Sequence, residues 1–256
     1  MDMKLKEKFG LLWEKYFKDA EPPIMFYYTD DEGHAGLVKP SLAHRCVIRD
    51  LAKVRKGNSF CYNTDSIGCL GGKRYLGFAE KATSEFEDFF ASFLSCGIPG
   101  QIHGERYKKS PELVKKGLKY WSTFKAPARF IVFKRWEMLE ESDNPEVVVF
   151  FAQADVLAGL FTLANFDEAE PNGVFAPFCA GCASIVQYPY LEGKSQRPRG
   201  VIGMFDISAR PFVPRDVLTF SVPMNKFIRM VDNMEESFLI TDSWKKVQKR
   251  MRFVGH

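Results

Sequence analysis

The sequence predicts a mixed α/β fold in one compact unit, either α/β or α+β in its segregation. Three observations carry this expectation. Short apolar runs bounded by turn residues alternate with amphipathic stretches along the chain, without a long structureless gap. Hydrophobic residues make up 46% of the 256 positions, enough for a sizeable core. No Gly/Ser/Pro-rich linker marks a boundary, so residues 1–256 are expected to form a single domain.

The elements follow in order. Leu5, Phe9, Leu12 and Tyr16 stand at helical spacing among charges, predicting an amphipathic helix over 5–16. "PPIMFYY" (22–28) is a compact strand stopped by the turn-rich "TDDEG". "AHRCVIRDLAKVR" (43–55) reads as a helix closed by Gly57, with Cys46, Leu51 and Val54 apolar among bases. Ser84 opens a further helix, whose Phe86, Phe89, Phe90, Phe93 and Leu94 make one apolar face directed to the core. After a Lys-rich segment at 104–119, "ARFIVFK" (128–134) and "EVVVFFA" (146–152) are strands, the second buried on both faces. "ADVLAGLFTLANF" is then a helix, and "GVIGMFD" (200–206) and "VLTFSVP" (217–223) are strands. A last helix from Met224 aligns Phe227, Val231, Met234 and Phe238, and the basic tail "WKKVQKRMR" suits a helix C-terminus.

An internal echo runs through this order. "PPIMFYY" resembles "NPEVVVFF", and each half later reaches a Gly-Cys pair, Gly68-Cys69 and Gly181-Cys182. The echo predicts two pseudo-repeated lobes, about 22–98 and 144–223, with these turns facing one another across a cleft.

Charge and composition narrow the function classes. The 36 basic and 32 acidic residues leave a net charge of +4, a balanced surface without the basic footprint of nucleic-acid binding. The charged start "MDMKLKEKFGLLWEKYF" lacks a signal peptide's apolar stretch, and no run approaches the roughly 18–20 apolar residues that cross a bilayer. A cytoplasmic protein with no nucleic-acid or membrane partner is expected, and nothing in the chain sets an oligomeric state. Six cysteines in such a protein read as reduced thiols or metal ligands, while four histidines leave little for a His-based zinc site.

Two groups of residues can carry chemistry. "NSFCYNTDSIGCLGGKRYLGF" (58–78) places Gly71 and Gly72 before Lys73 and Arg74, a composition suited to cradling an anionic small molecule, although it departs from the Walker A spacing. Arg210 in "FDISARPF" is a second candidate clamp for a carboxylate or phosphate, and an Asp206–Arg210 pair is its bland alternative. The other group is Cys61, Cys69 and the C-x-x-C of Cys179 and Cys182, a four-thiolate set suited to zinc or an iron–sulfur cluster. Cys46 and Cys96 are expected to serve as small hydrophobes. A metal-free module that binds a small molecule is a second reading. A thiol enzyme using Cys69 or Cys182 as nucleophile is a third.

At these segments the chain resembles the uncharacterised archaeal and bacterial proteins called the archaeal conserved region group, over nearly its whole length. The likeness rests on "PPIMFYYTDD", on the turn formed by Cys69, Gly71, Gly72, Leu76, Gly77 and Phe78, on Gly181, Cys182, Ser184 and Ile185, and on "GMFDISARPFVPRDVLTFSVP". It implies a shared fold and supplies no reaction. It carries over Cys69 and Cys182, and matches Cys61 and Cys179 less closely.

Overall fold

The computed structural model describes residues 1–40, 45–79 and 84–251. Its first half runs α1 (Met3–Tyr16), β1 (Ile24–Thr29), β2 (Gly36–Leu37), α2 (Val47–Val54), β3 (Phe60–Tyr62), α3 (Leu70–Tyr75), α4 (Ser84–Phe93), β4 (Gly97–Ile98), β5 (Ile102–His103), α5 (Pro111–Leu118) and β6 (Phe130–Arg135). The second half runs β7 (Val147–Ala152), α6 (Ala154–Ala164), β8 (Val174–Phe175), a π-turn (Ala183–Gln187) leading into α7 (Tyr188–Glu192), β9 (Gly200–Gly203), β10 (Leu218–Pro223), α8 (Met224–Asn233) and α9 (Asp242–Gln248). Residues 43–44, at the start of the helix expected over 43–55, lie outside the described residues.

Eight strands form one sheet in the order β2-β3-β6-β1-β7-β10-β9-β8, with β4 and β5 paired separately. The sheet reads alike from its two edges. A two-residue edge strand lies parallel to a short neighbour, β2 to β3 and β8 to β9. That neighbour pairs antiparallel with a six-residue strand, β6 or β10, which pairs antiparallel with β1 or β7. The halves meet where β1 pairs with β7, Ile24 opposite Val149. They therefore share a continuous sheet. Parallel neighbours need a crossover, supplied by α2 between β2 and β3 and by the π-turn with α7 between β8 and β9. In each crossover a cysteine stands at the start of the helical segment, Cys46 before α2 and Cys182 before the π-turn.

Strand alternation divides the interior into two cores. Met25, Tyr27, Val132, Val148, Phe150 and Phe220 face α1, α6, α8 and α9. Ile24, Phe26, Ile131, Phe133, Val149 and Phe151 face α2, the π-turn and α7. The first face is aromatic: Phe9 packs edge-on against Trp136 and Phe227, and Trp13 stacks on Phe17. The α4 face is less buried than its periodicity predicts. Only Phe90 and Ala91 are buried there, and Phe89 is 43% exposed, because α4 packs on α5 and the β4–β5 ribbon at the periphery. Among the described residues, no helix is long and apolar enough to cross a membrane.

One polar clasp ties the second half together. Lys226 of α8, 1% exposed, donates to Glu168 at 2.8 Å, and Arg197 and Arg229 reach the same carboxylate. Burial would raise the Glu168 pKa, but the hydrogen bonds from Lys226, Arg197 and Arg229 prevail and hold it at about 2 against an ordinary 4.5. A carboxyl depressed on folding stabilises the protein above its unfolded pKa and loses that contribution as the pH falls towards the folded value. Thermal unfolding between pH 5 and pH 2 should therefore show a fall in stability that Glu168→Gln diminishes. At pH 7 that substitution should cost about 3–5 kcal/mol, as expected when a buried partner is left unpaired. An unchanged melting profile in the variant would remove the clasp from the account.

Candidate thiol site

Four cysteines converge on the second core face, at the starts of the helices that cover it. Cys46 immediately precedes α2, Cys69 caps α3, and Cys182 precedes the π-turn, with Cys179 in the loop before it. The Gly72 amide donates to the Cys69 sulfur at 3.4 Å. Cys46 and Cys182 both pack against the core cluster beneath the helices. All four cysteines are partly exposed.

Electrostatics show the convergence. Burial pushes the Cys182 thiol well up, and Cys69, Cys46, Asp206 and Cys179 act on it in the same direction, in that order. Burial likewise raises Cys46, offset in part by the Arg49 and Ile48 amides, with Cys69 and Asp206 raising it further. Burial and then Asp206 push Cys179 up to about 12. At neutral pH these three are uncharged thiols, which are weak nucleophiles.

Asp206 organises the loops. Its carboxylate accepts from the Gly181 amide at 3.1 Å, and from the Ser208 amide and hydroxyl at 3.0 and 2.7 Å. Gly181 lies close over Met204, and a Cβ there would stand 2.9 Å from the Met204 sulfur, which would have to shift. Met204 is 1% exposed and adopts φ +69°, a left-handed backbone that costs a non-glycine residue about 1–3 kcal/mol. Gly203 brings the π-turn directly onto β9, for a Cβ at 203 would overlap Ser184. Leu70, Phe178, Phe205 and Ile207, neighbours of the thiols and of Asp206 in sequence, are 51–69% exposed.

The expected site residues separate on this geometry. Cys69, Cys179 and Cys182 come together, but Cys61 does not join them. It lies on β3 opposite Val132, fully buried in the other core, because alternation turns Phe60 and Tyr62 to the thiol side and Cys61 away. Cys46 takes its place, and the repeated order of strand, loop, Cys and helix before β3 and β9 is the sequence signal that marks it. Cys96 is exposed at the end of α4. Gly71, Gly72, Lys73 and Arg74 belong to helix α3 and form no loop cradle for an anion. Gly72 is there for packing, a Cβ being 3.0 Å from Ile67 and 3.2 Å from Val47. Arg210 clamps its own loop, donating to the carbonyls of Pro214, Arg215 and Val217, and neither pairs with the Asp206 side chain nor presents a fork to a ligand. Among the described residues, no three His, Cys, Asp or Glu side chains are arranged to hold a metal ion.

The fold and site together define a mixed-sheet protein covered on both faces, with a thiol cluster at the rim of one cover. The chain belongs to the family of uncharacterised ArCR proteins, domain of unknown function 169, whose model matches residues 14–233. No curated protein and no solved structure shows significant similarity to it.

The thiols should differ in reach. Native maleimide labelling read by peptide mass should modify Cys96 first, the four converged cysteines more slowly, and Cys61 only after unfolding. Gly203→Ala, which displaces the π-turn, should accelerate Cys182 and leave Cys61 protected. Native labelling of Cys61 at the rate of Cys96 would contradict its place in the core.

Proposed function

We propose that the protein binds a soft metal ion at the thiol site, with Cys69 and Cys182 as principal ligands and Cys46 and Cys179 beside them. The observation that carries this reading is that Cys46, Cys69 and Cys179, brought from three separate stretches of the sequence together with Cys182, all act electrostatically on the Cys182 thiol. Thiolates are soft ligands for zinc, copper(I) and iron–sulfur centres. A site containing Asp206 and titratable thiols favours a cation over an anion, and Arg210 is already engaged by its own loop. An iron–sulfur cluster needs four thiolates in place, a set that the described residues do not present. A single ion on two thiols needs less rearrangement.

Two other readings have weaker support. The raised thiol pKa values of Cys46, Cys179 and Cys182 argue against a neutral-pH thiolate nucleophile at those positions. A metal-free module for an anionic small molecule loses its main donors, because the glycines lie in a helix and Arg210 is occupied.

Protein purified without oxygen and analysed for metal and acid-labile sulfide tests the reading. Near-stoichiometric metal with little sulfide is expected, lost in Cys69→Ser and Cys182→Ser and retained in Cys61→Ser. Metal uptake should release protons, since the thiols ionise on binding. Wild-type metal content in both the Cys69→Ser and Cys182→Ser proteins would overturn the proposal.

A further inference from the structure

The balanced net charge conceals an uneven distribution. Residues 104–125 hold seven Lys and Arg against two acids, a net +5 that exceeds the +4 of the whole chain. This run belongs to an excursion from the sheet. The chain leaves at Gly77 and returns at Ala126, whose amide donates to the Gly77 carbonyl at 2.8 Å, and α4, the β4–β5 ribbon and α5 lie between. One side of α5 is fixed against α4. Val114 is buried, Trp121 lies against Gly117 and edge-on to Phe90, and Lys115 pairs with Asp88 at 2.5 Å.

The opposite side of α5 is open. Leu113, Lys116 and Tyr120 follow at i, i+3 and i+7, the spacing of one helical stripe. Leu113 is 47% and Tyr120 86% exposed. Lys116 in α5 and Lys119 at its end are exposed, as are Lys109 before the helix and Lys125 after it, and none of the four forms an ion pair among the described residues. Unpaired ammonium groups beside exposed apolar side chains suit one surface in particular. An anionic headgroup layer attracts the charges, and the acyl boundary beneath it receives the apolar groups.

We infer that the outer face of α5 docks the protein on an anionic lipid surface, with Leu113 and Tyr120 entering the interface and the four lysines at headgroup level. Charge complementarity selects an anionic partner, and three features select lipid among such partners. The face is a convex helix, whereas single-stranded nucleic acid is tracked by a groove. Its cations are all lysines, compact point charges, in place of the arginine forks that match phosphodiesters and carboxylates bidentately. Leu113 offers a nucleobase neither a stacking surface nor a hydrogen bond, and gains by leaving water. The attachment is peripheral, so a chain without a spanning segment takes it up, and it is independent of the thiol site.

The test is flotation of the full chain with phosphatidylcholine vesicles that contain phosphatidylserine, against vesicles of phosphatidylcholine alone. Wild type should float with the anionic vesicles and not with the neutral ones, and raised salt should release it. At about fivefold per lysine, Lys116→Ala and Lys119→Ala together should weaken binding about 25-fold. Tyr120→Ala should weaken it about fivefold or more. Lys246→Ala with Lys249→Ala, exposed lysines in and just after α9, should leave it unchanged. Circular dichroism and thermal unfolding establish that the variants are folded, and the comparison of the two vesicle types needs no variant. A labelled single-stranded oligonucleotide measured alongside separates lipid from nucleic acid. No binding to anionic vesicles, equal binding to neutral ones, an equal loss in the α9 variant, no effect of Tyr120→Ala, or tighter binding of the oligonucleotide would each overturn the inference. None of these outcomes bears on the thiol site, whose metal content is measured separately.

Discussion

The structure depends on the two-sided burial of its central strands. All six residues of β7 are buried, and their side chains alternate between two apolar faces. With about 1.5–3 kcal/mol gained for each large apolar side chain taken from water, neither face tolerates solvent. A layer of helices is needed on each side. One cover is aromatic and built by α1, α6, α8 and α9; the other is aliphatic and built by α2 and the π-turn with α7. The chain must cross each half of the sheet to lay down the second cover, and each crossing sets a helix start close above the strands.

The thiol site follows from those crossings. Cys46 and Cys182 begin the two crossover helices, one from each half, and α3 lies close enough to α2 that a Cβ on Gly72 would stand 3.2 Å from Val47. Gly203 lets the π-turn rest on β9, and Gly181 lets the preceding loop close over Met204. Asp206 fixes that loop through the Gly181 amide. Gly72, read from sequence as part of an anion cradle, is therefore a packing device like Gly203. Both bring backbone segments together, and the cysteines and Met204 are what those segments carry.

Much of this was legible beforehand, for physical reasons that also explain the omissions. Uninterrupted apolar runs announced β1, β6, β7 and β10, since a strand buried on both faces needs no polar alternation to be recognised. The edge strands β2 and β8 have two residues each and rely on their partners' hydrogen bonds, so no local pattern marks them. Without β3 there was no way to see that alternation turns Cys61 into the opposite core. The apolar setting of Cys46 in sequence describes its packing against the second core but not its neighbours. Those neighbours come from Cys69 and Cys182, and their approach depends on sheet order. Phe89 misled in the opposite direction: its periodicity was helical, but α4 is anchored through Phe90 and leaves Phe89 exposed.

The relation between core and site bears on what the site can do. A small zinc-stapled domain lacks a core and unfolds when its metal is removed. Here the second core closes largely through Val47, Ile48, Leu51, Ile185 and Val186, with Cys46 and Cys182 packed at its edge. The thiols sit at the margin of that core, partly exposed and, for Cys46, Cys179 and Cys182, with pKa values that keep them neutral. Neutral thiols repel neither one another nor Asp206, so the metal-free protein carries little electrostatic penalty. On the proposed metal reading, folding does not wait for the ion, and uptake is coupled to loss of the thiol protons.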